Sequence, residues 1–149
     1  MLDLSRAREI ISFAKGIRDC WHTNDPFELA SIFGFKIKYL DSCYPDFKAQ
    51  VIGIDGYPIV ISINNKYSTK AKTVLCAHEL GHALLHTDNV CNHFAQSVSS
   101  THSITEHEAN LFAVALLIDN SLINKLIVPL EMMDGYSLKK ILDYNISKS

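Results

Sequence analysis

Residues 69–86 read Thr69-Lys70-Ala71-Lys72-Thr73-Val74-Leu75-Cys76-Ala77-His78-Glu79-Leu80-Gly81-His82-Ala83-Leu84-Leu85-His86, and this stretch decides the fold. It carries no proline and is bounded by Ser68 or Thr69 as a cap, so it is expected to form one helix over 69–86. Within it stands His78-Glu79-Leu80-Gly81-His82. Two histidines at i and i+4 share one helical face and can grip one ion. Zinc accepts neutral imidazole nitrogens and, at catalytic sites, keeps one coordination position open. Glu79 follows the first histidine by one residue and so points about 100° round the helix. There it can take a proton from a water whose pKa zinc has lowered, which makes it the candidate general base. The alternative is a chance occurrence of the pattern. Against it, Val74, Leu75 and Ala77 precede the motif and Ala83, Leu84 and Leu85 follow it, so the helix is buried. Two histidines and a glutamate without a task are costly in such a place. Gly81 costs about 1 kcal/mol relative to Ala in a helix interior. Its presence predicts close packing on another backbone.

Upstream, Leu4, Ala7, Ile10, Ile11, Ala14, Ile17 and Trp21 recur at helical spacing, predicting an amphipathic helix over 4–21. Asp25-Pro26 opens a short helix that Gly34 stops. Three strands are expected at Phe35 to Leu40, Gln50 to Ile54 and Pro58 to Ile63, the last two joined by an Asp55-Gly56 turn. Downstream, 87–102 reads as a polar linker and 104–118 as a second long helix. Asn120-Ser121 starts a short piece that Pro129 ends, Asp134-Gly135 forms a turn, and Ser137 caps a final helix. The order helix, sheet, helices implies an α+β domain spanning 1–149. Its sheet is expected to be small, three-stranded and mainly antiparallel.

A catalytic zinc needs a third protein ligand. His86 lies one turn beyond His82, but each four-residue step rotates the face by about 40°. His86 is therefore read as a helix-terminal residue or a support behind the ligands. The better candidates lie in Thr105-Glu106-His107-Glu108-Ala109-Asn110. Ser103 to Glu106 fits a capping box, and so does Thr105 to Glu108. If Ser103 caps, Glu106 is used on the backbone and Glu108 is free for the metal. Both registers are allowed, so spacing favours Glu108 only weakly. His93, His102, His107 and Tyr136 are candidates for stabilising an oxyanion, each more often an ordinary surface or core residue.

His78 to His86, followed by Glu108-Ala109-Asn110-Leu111-Phe112-Ala113-Val114-Ala115-Leu116-Leu117, resembles the ImmA/IrrE family of metallopeptidases. The segment from Asp25-Pro26-Phe27-Glu28-Leu29-Ala30 to Phe35-Lys36-Ile37 and the strand Ile59-Val60-Ile61-Ser62-Ile63-Asn64 are also similar to that family. The resemblance covers about residues 25–118. It implies a zincin-like active-site helix and zinc held by His78, His82 and Glu108, with Glu79 as the base. It also implies cleavage of a cytoplasmic helix-turn-helix repressor, often encoded nearby in a prophage or other mobile element. A protein keeping the same fold and zinc but acting only by binding the repressor is the alternative; the intact Glu79 argues against it.

The bulk numbers agree with a globular enzyme. The chain has 149 residues, 48% hydrophobic and 20% charged, with a formal net charge of −2. That balance gives no electrostatic case for nucleic acid or an anionic membrane as the main partner. No leader is visible, and the longest apolar run, Leu111 to Ile118, is too short to span a bilayer. Cys20, Cys43, Cys76 and Cys91 show no CxxC spacing and are expected to be reduced thiols of a cytoplasmic protein.

Overall fold

The structure, a computed structural model, describes residues 2–41, 47–86, 104–119 and 125–147. Helix α1 spans Leu4–Trp21 and buries Ala7, Ile10, Ala14 and Ile17, one stripe at three- and four-residue spacing. Helix α2 spans Pro26–Ile32. The Asp25 carboxylate accepts from the Phe27 N–H at 3.0 Å, and Pro26 fills the first turn, where its missing N–H costs nothing. Gly34, at φ +80°, turns the chain out of α2.

The sheet has strands β1 (Lys36–Leu40), β2 (Ala49–Ile52) and β3 (Val60–Asn64) in the order β1-β3-β2. The Ile54 carbonyl accepts from the Tyr57 N–H at 3.0 Å across Asp55-Gly56, with Gly56 at φ +87°, the left-handed residue such a turn needs. This turn returns the chain antiparallel to β2. β3 then enters between β2 and β1 and runs parallel to β1. The sheet is therefore mixed: one of its two pairings is parallel, where a mainly antiparallel sheet was expected. Being central, β3 buries Ile61, Ser62, Ile63 and Asn64 in succession. Pro58 lies just outside it, where no ladder hydrogen bond is lost.

Helix α3 spans Thr69–Leu85 and is capped by Ser68, whose hydroxyl accepts from the Ala71 N–H at 3.2 Å. Helix α4 spans Ile104–Leu117, and Glu108 to Leu116 are all buried. The two are the central helices and form the most extensive interface between elements. One side of α3 lies on the sheet, where Leu75, Cys76 and Ala83 meet Val51, Ile61 and Ile63. On another side Gly81 faces α4. A Cβ there would stand 3.1 Å from the Phe112 Cδ1, 3.2 Å from the Ala109 carbonyl oxygen and 3.3 Å from the Ala109 Cα. The glycine is thus a contact point between backbones, as expected. α1 covers another side of α4.

A 3-10 turn at Leu130–Met132 leads to helix α5 (Gly135–Ser147), which packs on α3 and α4. Its cap differs from expectation. The Asp134 carboxylate accepts from the Ser137 N–H at 2.7 Å, so Asp134 is the cap and Ser137 already lies in the first turn. The expected linker 87–102 and the piece opening at Asn120-Ser121 lie outside the described residues, as do Cys43 and Cys91. Cys20 and Cys76 are free thiols. No described helix is long and apolar enough to cross a membrane.

Candidate metal centre

His78 and His82 project from α3 toward the start of α4. Their ring centroids are 4.8 Å apart and their planes are nearly perpendicular. Between them lies the carboxylate of Glu106, not that of Glu108. The Glu106 Oε2 is 3.1 Å from the His78 Nε2, and its Oε1 is 3.2 Å from the His82 Nε2. Among the described residues these three form a group able to hold a metal, with ligand atoms all within 4.8 Å of one another. The set comprises two imidazole nitrogens and one carboxylate oxygen, a combination that catalytic zinc sites use. Ligands at about 2.0–2.1 Å from a tetrahedral zinc stand about 3.3 Å apart. The two nitrogen–oxygen separations are close to that value, so the residues present fit the metal.

Glu108 departs from the expectation that it would be the third ligand. Its Oε2 accepts from the Arg6 Nε at 2.8 Å, and its Oε1 lies 3.1 Å from the Arg6 Nη2 and 2.8 Å from the His86 Nε2. The reason is helical geometry. Residues two apart on a helix point about 200° apart, so Glu106 and Glu108 cannot both face the histidine pair. The face turned to α3 is set by the approach of Ala109 to Gly81, and Glu106 lies three residues before Ala109. Asn110, on the same face and four residues after Glu106, is a further hydrogen-bond partner of His78. Ser103, whose capping role bore on the choice, lies outside the described residues.

Burial is graded across the group. The His82 side chain is 2% exposed, while those of His78 and Glu106 are 18% and 21% exposed. An ion here would be approached from the His78–Glu106 edge. Burial by itself would raise the Glu106 carboxyl, but the two imidazoles overcome it and hold it well below the usual carboxylate range. Burial also works against a charged His78, yet the bond to Glu106 and the nearby Glu79 leave it raised. Glu79 is buried next to these groups, and no imidazole among the described residues is bonded to it in this way. Burial pushes its carboxyl up to about 7, against the pull of His78. A carboxyl that gains and loses a proton near neutrality is suited to general acid–base work.

The residues brought together are therefore His78, Glu79, His82 and Glu106. The sequence reading passed over Arg6 and gave Asn110 no role of its own. The Glu106/Asn110 pair at i and i+4, flanking the small residue Ala109, was the available signal. His86 does stand behind His82, its Nδ1 3.1 Å from the His82 Nδ1. Of the suggested oxyanion groups, His107 packs its ring against Gly135 and Tyr136 is exposed under the Lys140 ammonium. His93 and His102 lie outside the described residues.

A helix bearing His-Glu-x-x-His, joined by a carboxylate from a second helix, defines the site of a peptidase-type protein. The family is given by comparison: the peptidase family model described as the IrrE N-terminal-like domain matches residues 36–135, and the chain belongs to that family. A comparison with curated proteins finds none that matches the chain.

Proposed function

We propose that the protein is a zinc-dependent endopeptidase that cleaves a cytoplasmic helix-turn-helix repressor. The single observation carrying the hydrolytic part is the Glu106 carboxylate held between His78 and His82 with Glu79 buried beside them. The ligands in this reading are His78, His82 and Glu106, in place of the expected Glu108. Zinc, when bound, would supply Lewis acidity, polarising the scissile carbonyl and easing ionisation of the attacking water. Glu79 accepts the proton of that water as its oxygen bonds to the carbonyl carbon. It then returns a proton to the departing amine as the C–N bond breaks. His78 and His82 stay neutral and act as ligands only. Membership of the peptidase family supports the reaction class. The repressor as substrate rests on the resemblance of the paired motifs to the ImmA/IrrE peptidases. Neither membrane nor nucleic acid is required as a partner.

The test is Glu79→Gln, which keeps shape and removes the proton acceptor. The variant should retain zinc and fold and lose about 10²–10⁴-fold in cleavage of a helix-turn-helix repressor offered as substrate. Relief of repression by parent and variant alike, with no cleavage product from either, would contradict the enzyme reading. The protein would then act by binding the repressor.

A further inference from the structure

A line of side chains runs from the metal centre to the first turn of α1. Its contacts are His82 Nδ1 to His86 Nδ1 at 3.1 Å, His86 Nε2 to Glu108 Oε1 at 2.8 Å, and Glu108 to Arg6 through two nitrogens at 2.8 and 3.1 Å. Three elements contribute to it: α3, α4 and α1. His82, His86 and Glu108 are all buried, in a fold where an ionic group so placed needs a reason.

Proton bookkeeping along the line supplies one. The Glu108 carboxylate, clamped by the Arg6 guanidinium, has only acceptor capacity. The His86 Nε2 that faces it must therefore carry a hydrogen. In the neutral ring that leaves the His86 Nδ1 with its lone pair. The His82 Nδ1 faces this lone pair and, with a metal on the Nε2 of the same ring, carries the hydrogen between them. Once a metal takes the His82 Nε2, in place of that nitrogen's 3.2 Å contact with the Glu106 Oε1, this arrangement leaves it the lone pair a ligand needs. Reversing the middle bond would put a lone pair against the Glu108 carboxylate and a hydrogen on the metal-facing nitrogen of His82.

We propose that Arg6, Glu108 and His86 are positioning residues that fix His82 in the tautomer and orientation in which its Nε2 binds the metal. The inference rests on the metal site proposed above. It gives α1, which packs on α4, a part in metal affinity. It also gives Glu108 a function other than that of a ligand. Orienting partners of this kind typically contribute about 10–100-fold to metal affinity. The Arg6 fork engages both carboxylate oxygens, which a lysine cannot reproduce.

The experiment measures zinc affinity of the full chain by competition with a chelator for the parent, His78→Ala, Glu108→Ala, Glu108→Gln, His86→Ala and the Glu108→Ala/His86→Ala double variant. Long-range proton–nitrogen spectra of the zinc-loaded, histidine-labelled protein report the tautomers. The parent should show His82 protonated on Nδ1 and His86 on Nε2. Glu108→Ala and His86→Ala should each weaken zinc about 10–100-fold, and the double variant little further, because the residues act in series. Glu108→Gln should recover most of the loss, since its carbonyl oxygen still accepts from His86. Should Glu108→Ala prove too unstable to measure, Glu108→Gln and the spectra decide alone. Zinc affinity unchanged in Glu108→Ala, or His82 protonated on Nε2 in the zinc-loaded parent, would overturn the proposal. So would a Glu108→Gln loss as deep as that of His78→Ala, which would make Glu108 a ligand. Retention of zinc by His78→Ala would instead overturn the metal site itself, so the two failures are told apart.

Discussion

Glu106 and Glu108 stand two residues apart on α4, and the structure gives them opposite surroundings. Glu106 is partly exposed and lies between two imidazoles, with His78 beside it at the open edge of the site and His82 buried behind. Glu108 is buried and lies between an arginine and an imidazole on the inner side. Both carboxyls are held below their usual range despite burial: Glu106 by His78 and His82, Glu108 by Arg6 and His86. Identical residue types thus do different work because a helix turns about 100° per residue. The outer carboxylate is equipped to hold an ion, and the inner one to order the ligands behind it.

The largest effect should come from removing the outer side altogether. His78→Ala and His82→Ala should each lose more than about hundredfold in zinc affinity, beyond the range of supporting residues, as read by chelator competition. Either variant binding zinc like the parent would collapse the distinction between the two sides.

A pH series sharpens the comparison at the next level. The folded-state pKa values of Glu106 and Glu108 are both depressed, so their stabilising contributions are present above the unfolded value of 4.5 and lost as pH falls through the folded values. Denaturant unfolding of the metal-free protein should therefore show stability declining below about pH 4.5. Glu108→Gln should flatten part of that decline. A flat stability profile from pH 5 to pH 3 in the parent would contradict the ion pairing described for both carboxylates.

Smaller still is the effect of the contact that decides which carboxylate faces α3. Gly81→Ala puts a Cβ at 3.1–3.3 Å from Phe112 and the Ala109 backbone. Overpacking of this kind costs about 1–3 kcal/mol, and better helix propensity returns about 1 kcal/mol. A net loss of about 1 kcal/mol is expected from denaturant midpoints. A stabilised variant would show that the helices separate freely and that the Gly81 contact does not set the face of α4. The smallest effect belongs far from either carboxylate: Asp25→Ala should cost about 1 kcal/mol through the lost cap of α2, with zinc affinity unchanged. A change in zinc affinity there would mean the site depends on more than the helices that hold it.

These magnitudes also explain what the sequence could and could not disclose. α1, α2, α3 and the Asp55-Gly56 turn rest on signals within a few residues: an apolar stripe, a carboxylate before Pro26, a serine cap, a glycine at positive φ. The two histidines and Glu79 follow from spacing on one helix. The parallel pairing of β1 with β3 depends on where β3 inserts, which no local pattern in 35–64 records. For the third carboxylate, capping allows two registers and the motif resemblance points to Glu108, whereas the structure places Glu106 between the histidines. What selects Glu106 is tertiary: the approach of Ala109 to Gly81 turns one face of α4 toward α3. Arg6 was invisible for the same reason, since 102 residues separate it from the carboxylate it clamps.

The central claim, that the metal is held by His78, His82 and Glu106 while Glu108 acts from behind, is tested most directly by zinc content. Purified Glu106→Gln and Glu108→Gln proteins, dialysed side by side with the parent against the same buffered zinc, would be analysed for metal per chain. The account predicts near-parental zinc in Glu108→Gln and little in Glu106→Gln. Zinc retained by Glu106→Gln and lost from Glu108→Gln would contradict it.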